Sequence, residues 1–167
     1  MIFETNRLLI RRANNNDINE IWNVWKNPEN QKYMSDPVYT IKEVENILKI
    51  KRAEFDDYFA VIILKSTNQV IGTCCFGLTN TKNTYGIGYS IHKDFWNKGY
   101  ATETLEGIIK FGESRGIKTF LSSCAEENKA SKKVMEKCGM KFSHFSSFSN
   151  PILKKEYKEL CYKLSIQ

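Results

Sequence analysis

Histidine is scarce in this chain, with two residues among 167, and none of the five cysteines (Cys74, Cys75, Cys124, Cys138, Cys161) stands in a C-x-x-C pair. A zinc site therefore has almost no ligands to draw on, and no metal is expected. An odd number of cysteines without that spacing suits small core residues in a reducing compartment, so the cytoplasm is the expected location. No apolar run approaches the roughly 18 residues of a membrane span. The opening MIFETNRLLIRR lacks an apolar segment of signal-peptide length and reads as mature protein. Arginine-rich runs are missing, as is any regular interleaving of aromatics with basic residues. The net charge of +6 thus gives nucleic-acid binding little support. A few lysines serving a small polyanionic ligand explain the surplus equally well. Neither the nucleotide-triphosphate pattern G-x-x-x-x-G-K-S/T nor the dinucleotide pattern G-x-G-x-x-G occurs. There is no internal repeat and no low-complexity linker.

What is present is a globular composition, 41% hydrophobic and 13% aromatic, in a length that suits one domain over residues 1–167. RLLIRRA, from Arg7, reads as a strand. Ile18, Ile21, Trp22 and Trp25 then recur at helical spacing behind capping asparagines. Residues 27–39 are polar, with prolines at 28 and 37, and read as loop. T-I-K-E, Thr40 to Glu43, has the form of a capping box and opens a second helix with Val44, Ile47 and Leu48 inward. YFAVIILK, VIGTCCFGLT and YGIGYSI are three strands, a helix follows over 100–115, and KTFLSSC is a strand. NKASKKVMEKCG is a helix with Ala130, Val134 and Cys138 inward, and residues 140–167 hold two more strands around Pro151. The order β-α-α-β-β-β-α-β-α-β-β describes a mixed α/β domain, with hairpins in the middle and a β-α-β unit near 85–124.

Two local features call for explanation. In YGIGYSI, Tyr85, Ile87, Tyr89 and Ile91 share one face, while Gly86, Gly88 and Ser90 leave the other almost bare. Either a helix packs closely on the bare face or something slim lies against the backbone. In WNKGYATETLEGIIKFG, a glycine turn runs straight into an amphipathic helix with Ala101, Leu105, Ile108, Ile109 and Gly112 on one face. That turn is either a plain helix start or a seat for an anion. Residues 97–102 would offer unpaired backbone N–H groups at a helix N-terminus, with Lys98 adding positive charge.

Three segments in series resemble the GNAT superfamily of acetyl-CoA-dependent N-acetyltransferases, closest to its RimJ/RimL-like, ribosomal-protein N-terminal acetyltransferase branch. They are T-N-R-L-L-I-R (Thr5 to Arg11), YSIHKDFWNKGYATE (Tyr89 to Glu103) and ENKASKKVMEKCGMKF (Glu127 to Phe142). The resemblance implies a mostly antiparallel central sheet flanked by helices. It also implies acetyl-CoA as co-substrate, with the pantetheine along Tyr89, Ser90 and Ile91 and the pyrophosphate on the amides of Asn97, Lys98, Gly99, Tyr100, Ala101 and Thr102. Asn128 would contact the cofactor. Ser131, one helical turn on, would stand near the sulfur as the acid that assists the departing thiolate, although Asn128 as a helix cap and Ser131 as a first-turn residue need no catalysis.

Two positions depart from the family pattern. Trp96 replaces the Gln or Arg often found three residues before the loop glycine. Met135 stands where many members carry a general-acid tyrosine, and methionine cannot donate a proton. A backbone N–H near Ile91 would stabilise the oxyanion. For the base, Glu126, Glu127, His92 and a water chain all stay open. Lys129, Lys132 and Lys133 are either a solvated face or an attraction for the 3′-phosphate of CoA or for an acidic partner.

The acceptor implied is a primary amine, with the N-terminal amine of a protein first. Polyamines, antibiotics and free amino compounds are alternatives, as is a non-catalytic acetyl-CoA-binding module. The acceptor side is expected from the first two helices, the loop 27–39 and the late hairpin 143–157, with Glu54, Asp56 and Asp57 either drawing a cationic amine or lying solvated. A homodimer is left open.

Overall fold

The computed structural model describes residues 1–35, 37–38, 40–53 and 57–167. Its strands form one eight-stranded sheet in the order β1-β2-β3-β4-β5-β6-β8-β7. These are β1 (Phe3–Glu4), β2 (Leu8–Arg12), β3 (Asp57–Leu64), β4 (Gln69–Leu78), β5 (Thr84–Ile91), β6 (Thr119–Ala125), β7 (Lys141–Asn150) and β8 (Lys155–Ser165). Every neighbouring pair is antiparallel except β5 and β6. That parallel pair needs a crossover, which the helix α4 (Tyr100–Ser114) supplies. The other helices are α1 (Ile18–Trp25), α2 (Pro28–Gln31), α3 (Ile41–Ala53) and α5 (Lys129–Lys137).

The expected element order holds, with two additions. The two-residue strand β1 precedes the strand at Arg7 and pairs with β2. The stretch 27–39, expected as loop, contains α2. Its sequence reason is local: the Asn27 side chain caps the Glu29 N–H, and Pro28 sits at the first helical position, where its missing N–H costs nothing. The capping box at α3 forms as expected, with Thr40 N–H donating to Glu43 Oε2 at 2.8 Å and Glu43 N–H donating to Thr40 Oγ1 at 3.3 Å.

Two apolar clusters cover the two faces of the sheet. On one, Leu105, Ile108 and Ile109 of α4 and Met135 of α5 pack with Ile10, Ile62, Phe76, Tyr85, Ile87 and Ile91. On the other, Ile21, Val24 and Trp25 of α1 and Val44 and Leu48 of α3 pack with Phe59, Val61 and Ile63. Full burial of each such side chain stabilises the fold by about 1.5–3 kcal/mol. In α5 the inward set differs from expectation. Met135 is the buried residue, Val134 and Cys138 are half-buried, and Ala130 is exposed. Packing selects the long side chain that reaches the core over the small one at the helix start.

The two faces of β5 also resolve. Helix α4 packs on the bulky face, where Tyr85, Ile87 and Ile91 are buried, and not on the face of Gly86, Gly88 and Ser90. The bare face looks toward α1 and α2, and Asn30 reaches it by donating to Ser90 Oγ at 3.2 Å.

Candidate active site: parted strands and a helix mouth

The parallel ladder between β5 and β6 runs only from Thr84↔Thr119 to Ile87↔Ser122. Beyond it each strand stays with its other neighbour. Gly88 to Ile91 remain paired with β4, and Ser123 to Ala125 remain paired with β8. The sheet therefore opens in a wedge between its two halves. Ser122 Oγ donates to the Ile87 carbonyl at 3.0 Å, which fixes that carbonyl toward β6. By strand alternation, the backbone N–H and C=O of Tyr89 and the N–H of Ile91 point the same way, into the wedge. His92 N–H, bonded to the Ile71 carbonyl on β4 at 2.8 Å, confirms the alternation. An extended chain with amide groups could pair with this edge as another strand would.

The mouth of α4 lies at the open end of the wedge. Asn97 and Gly99 both have left-handed backbone, with φ of 59° and 81°. A side chain at Gly99 would cost about 1–2 kcal/mol in conformation alone, and its Cβ would meet Arg7 Nη2 at 3.3 Å. Gly99 caps α4 without any side-chain hydrogen bond. The helical ladder begins with Glu103 N–H donating to Gly99 O at 3.0 Å. The N–H groups of Tyr100, Ala101 and Thr102 thus precede the ladder, at the positive end of the helix dipole.

An acidic side chain in a first turn usually competes for such groups. Here Glu103 is held elsewhere. Thr5 Oγ1 donates to it at 2.6 Å, and Arg7 donates its backbone N–H and its Nε, each at 2.7 Å. Burial works to raise the Glu103 pKa, but the hydrogen bonds from Thr5 and Arg7 and the guanidinium charge outweigh it, and the net shift is downward. Arg7 also donates Nη1 to the Lys98 carbonyl at 2.9 Å and lies 4.5 Å from the centre of the Tyr100 ring. Lys98 itself donates Nζ to the Asp94 carbonyl at 3.0 Å, which keeps its charge beside the loop. Sequence reasoning missed this latch. Its members do lie in quoted motifs, Thr5 and Arg7 in the first and Glu103 at the end of the second, but nothing linear joins them.

On the opposite wall, Asn128 Oδ1 accepts the Ser131 N–H at 3.1 Å as the cap of α5. Ser131 Oγ lies 2.9 Å from the Tyr89 hydroxyl. The Tyr89 phenol thus joins the wall of β5 to that of α5. Burial pushes the Tyr89 pKa up to about 12, with the Ser131 hydrogen bond pulling slightly the other way. Burial likewise raises the Cys124 thiol to about 11, against a lowering hydrogen bond from Ser131. Met135 is fully buried in the core.

The Ile91 carbonyl accepts twice, from Trp96 Nε1 and from Asn30 Nδ2, both at 2.6 Å. Trp96 therefore has a main-chain function of its own, fixing the end of β5 with a donor that neither a shorter apolar residue nor Phe could supply.

The base candidates are engaged. Glu127 is paired with Lys155 at 2.9 Å and Glu126 with Lys158 at 3.2 Å. His92 Nδ1 accepts the Asp94 N–H at 3.3 Å, which leaves the ring proton on Nε2. Of the basic cluster, Lys132 lies 3.9 Å from Glu136. On the bare-face side, a cavity of about 520 Å³ is lined by Trp22, Asn23, Lys26, Asn27, Gln31 and His92 among others. The late hairpin closes on this region. Asn150 Nδ2 donates to the Gln31 carbonyl at 3.0 Å, and Tyr157 meets Tyr33 edge-on at 5.6 Å. The exposed part of that hairpin carries Phe142 and Phe145 outward. Glu54, Asp56 and the Asp57 side chain lie outside the described residues. Among the described residues, no group of His, Cys, Asp or Glu is placed to hold a metal, and no helix is long and apolar enough to cross a membrane.

Residues 7–141 match the family model described as acetyltransferase (GNAT) domain. The uncharacterized N-acetyltransferase YnaD of Bacillus subtilis is 28% identical over 146 residues, 87% of this chain and 85% of YnaD. A GNAT-family acetyltransferase from Bacillus anthracis superposes with a TM-score of 0.84 at 25% identity, covering 97% of this chain and 96% of that one. Two more distant structures share the fold. RimL, the ribosomal L7/L12 alpha-N-protein acetyltransferase in complex with coenzyme A, has a TM-score of 0.85 at 16% identity, covering 99% and 97%. Spermidine N-acetyltransferase from Vibrio cholerae, in complex with CoA and spermine, has 0.84 at 14%, covering 96% and 96%.

Proposed function

Because this chain belongs to the GNAT acetyltransferase family and is an acyltransferase, we propose that it transfers acetyl from acetyl-CoA directly to the N-terminal amine of a protein. Residues 1–167 act as one domain in the cytoplasm. The wedge takes the pantetheine, which lies along Tyr89 to Ile91 and pairs with the backbone of Tyr89, while Ser90 faces the acceptor side. The pyrophosphate sits on the loop Asn97 to Thr102, where Tyr100, Ala101 and Thr102 supply N–H groups that the protein leaves without helical partners. Lys98 and the α4 dipole balance the negative charge. The fit rests on two features of this chain: the ladder that stops at Ile87, and the removal of Glu103 from its own helix end.

Three chemical needs follow for acetyl transfer. The amine must be neutral, the thioester oxygen needs a donor as it gains charge, and the leaving thiolate needs one too. The Ile91 N–H, directed into the wedge, is the oxyanion donor. Ser131, set by Asn128, is the donor to sulfur. Holding both reactants in place supplies much of the remaining rate.

The acceptor class is carried by one observation: Glu126, Glu127 and His92 are all engaged. A protein α-amine has a pKa near 7.7–8.0 and is about a fifth to a third neutral near pH 7.4, so it needs little help. An alkyl amine near 10.4 would need a strong base. The cavity beside His92 agrees: among the described residues its lining offers asparagines, glutamine and Lys26 and no carboxylate.

The test is a thiol-release assay with peptides bearing free or blocked N-termini, free lysine, spermidine and other small amines, with products checked by mass. Turnover is expected with free-N-terminal peptides and none with blocked ones. Turnover confined to spermidine or small amines would replace the peptide reading. A melting shift with acetyl-CoA but no turnover on any amine would leave only a binding module.

A further inference from the structure

The Tyr89 hydroxyl has no part in the mechanism so far, yet it touches the residue assigned to the leaving group. Tyr89 is on β5 and Ser131 on α5, 42 positions apart, and their oxygens lie 2.9 Å from each other across the wedge. We propose that Tyr89 is a positioning residue that holds the Ser131 hydroxyl as a hydrogen-bond donor to the departing sulfur. The proposal rests on the assignment of Ser131 made above.

A serine hydroxyl near a thioester is a weak and ambiguous group. It can donate or accept, and its proton rotates freely. Contact with a phenol removes the ambiguity. A phenol is a much stronger acid than an aliphatic alcohol, so in a Tyr–Ser pair the phenol donates and the serine oxygen accepts. Burial keeps Tyr89 protonated across the physiological range. The one phenolic proton is then spent on Ser131 Oγ, and the serine's own proton must point elsewhere. The backbone of Ser131 is already fixed by the bond from its N–H to Asn128 Oδ1 at 3.1 Å. The phenol's proton takes one of the three positions around Ser131 Oγ, so the Ser131 O–H is turned away from Tyr89. A sulfur already stands within hydrogen-bond reach of that hydroxyl, the Cys124 thiol. Burial keeps that thiol neutral, and a neutral thiol is a poor acceptor. A thiolate forming in the wedge would take the serine proton's hydrogen bond from it.

In the transfer step the amine nitrogen bonds to the thioester carbon, the carbon–sulfur bond breaks, and its electron pair goes to sulfur. The proton shed by the amine reaches the sulfur through solvent. Ser131 O–H hydrogen-bonds the sulfur while its charge develops, and Tyr89 and Ser131 both end as they began. A phenol thus serves the leaving group in this chain although Met135 occupies the usual tyrosine position. It comes from the strand instead of the helix, and acts through a serine.

The test compares Tyr89→Phe, Ser131→Ala and the double variant, with an acceptor found by the amine panel at saturation and acetyl-CoA affinity measured by calorimetry. Tyr89→Phe keeps the ring and should lower kcat about tenfold, the worth of one hydrogen bond. Acetyl-CoA affinity and the melting temperature should stay unchanged. The double variant should be no slower than Ser131→Ala alone, because the phenol acts only through the serine. If Ser131→Ala is slow and Tyr89→Phe keeps full kcat, or if the two losses multiply, the positioning role is overturned while Ser131 stands. If Ser131→Ala keeps full kcat, the assignment of Ser131 itself fails. Should the phenylalanine variant not fold, a ring-fluorinated tyrosine at 89 offers a stronger phenol donor in the same shape. A raised kcat then supports the role and an unchanged one overturns it.

Discussion

Arg7 Nε donates to Glu103 Oε2 at 2.7 Å across 96 positions of sequence, joining the β1–β2 turn to the first turn of α4. The pair is part of a larger latch, since Arg7 also holds the Lys98 carbonyl and Thr5 also donates to Glu103. As an isolated half-exposed ion pair it would stabilise the fold by little. Its consequence lies in what it does to the helix mouth. A first-turn glutamate free to turn back would cover the amides that face the wedge.

Arg7→Ala should therefore act on ligand binding more than on folding. With its partner gone, Glu103 can turn onto the N–H groups of its own helix and repel an approaching phosphate. Affinity for CoA is expected to fall about tenfold, the worth of one charge-assisted hydrogen bond at the low end of its range. Acetyl-pantetheine, which lacks the pyrophosphate, should bind equally well to both proteins. Calorimetric titration with the two ligands checks this; an equal loss for both would mean that Arg7 shapes the wedge as a whole.

The same carboxylate predicts a pH dependence. Its pKa in the folded protein lies below the ordinary glutamate value of 4.5. Above 4.5 both folded and unfolded chains carry the charge, and the latch contributes its full stabilisation. As pH falls below that value the unfolded chain takes up the proton first. The contribution then shrinks and is lost once pH passes the depressed folded pKa. Melting temperatures measured between neutral pH and pH 3 should fall less steeply for Glu103→Gln than for the unsubstituted protein. Parallel curves would remove Glu103 from the acid limb.

Met135→Tyr restores the residue type that the family pattern carries at that place, and it should not restore an acid. Met135 is fully buried against the core of α4 and the sheet. A larger side chain there overpacks the core, at a cost of about 1–3 kcal/mol, and brings a hydroxyl that needs a partner. The expected result is a lower melting temperature with no gain in kcat. A gain in kcat at unchanged stability would show that the methionine faces the wedge after all.

Much of the architecture was legible from pattern. The alternation in 84–91, the helical period in 100–114 and the capping box at Thr40 each belong to one element, and each appears where its residues place it. The strand with one bulky and one bare face reads as a strand from its alternation, but what covers each face stays open in the sequence. Which face meets α4 depends on the hand of the crossover from β5 to β6. The short helix at Pro28 was passed over because prolines and polar residues also describe loops; only Asn27 before Pro28 hinted at a start. In α5, Ala130 was counted inward and is exposed, since spacing gives a face but not how far along it the core extends.

The sequence by itself determined the strands and helices, the left-handed glycine before α4 and the family, because each depends on residues close together or on motifs in fixed order. Only the tertiary structure decided that β5 and β6 part after Ile87, that Arg7 takes Glu103 away from its own helix, and that the Tyr89 hydroxyl meets Ser131. These are contacts between segments separated by tens of residues. No local propensity encodes them; they arise when the two clusters close on the sheet and fix which side chains face each other across the wedge.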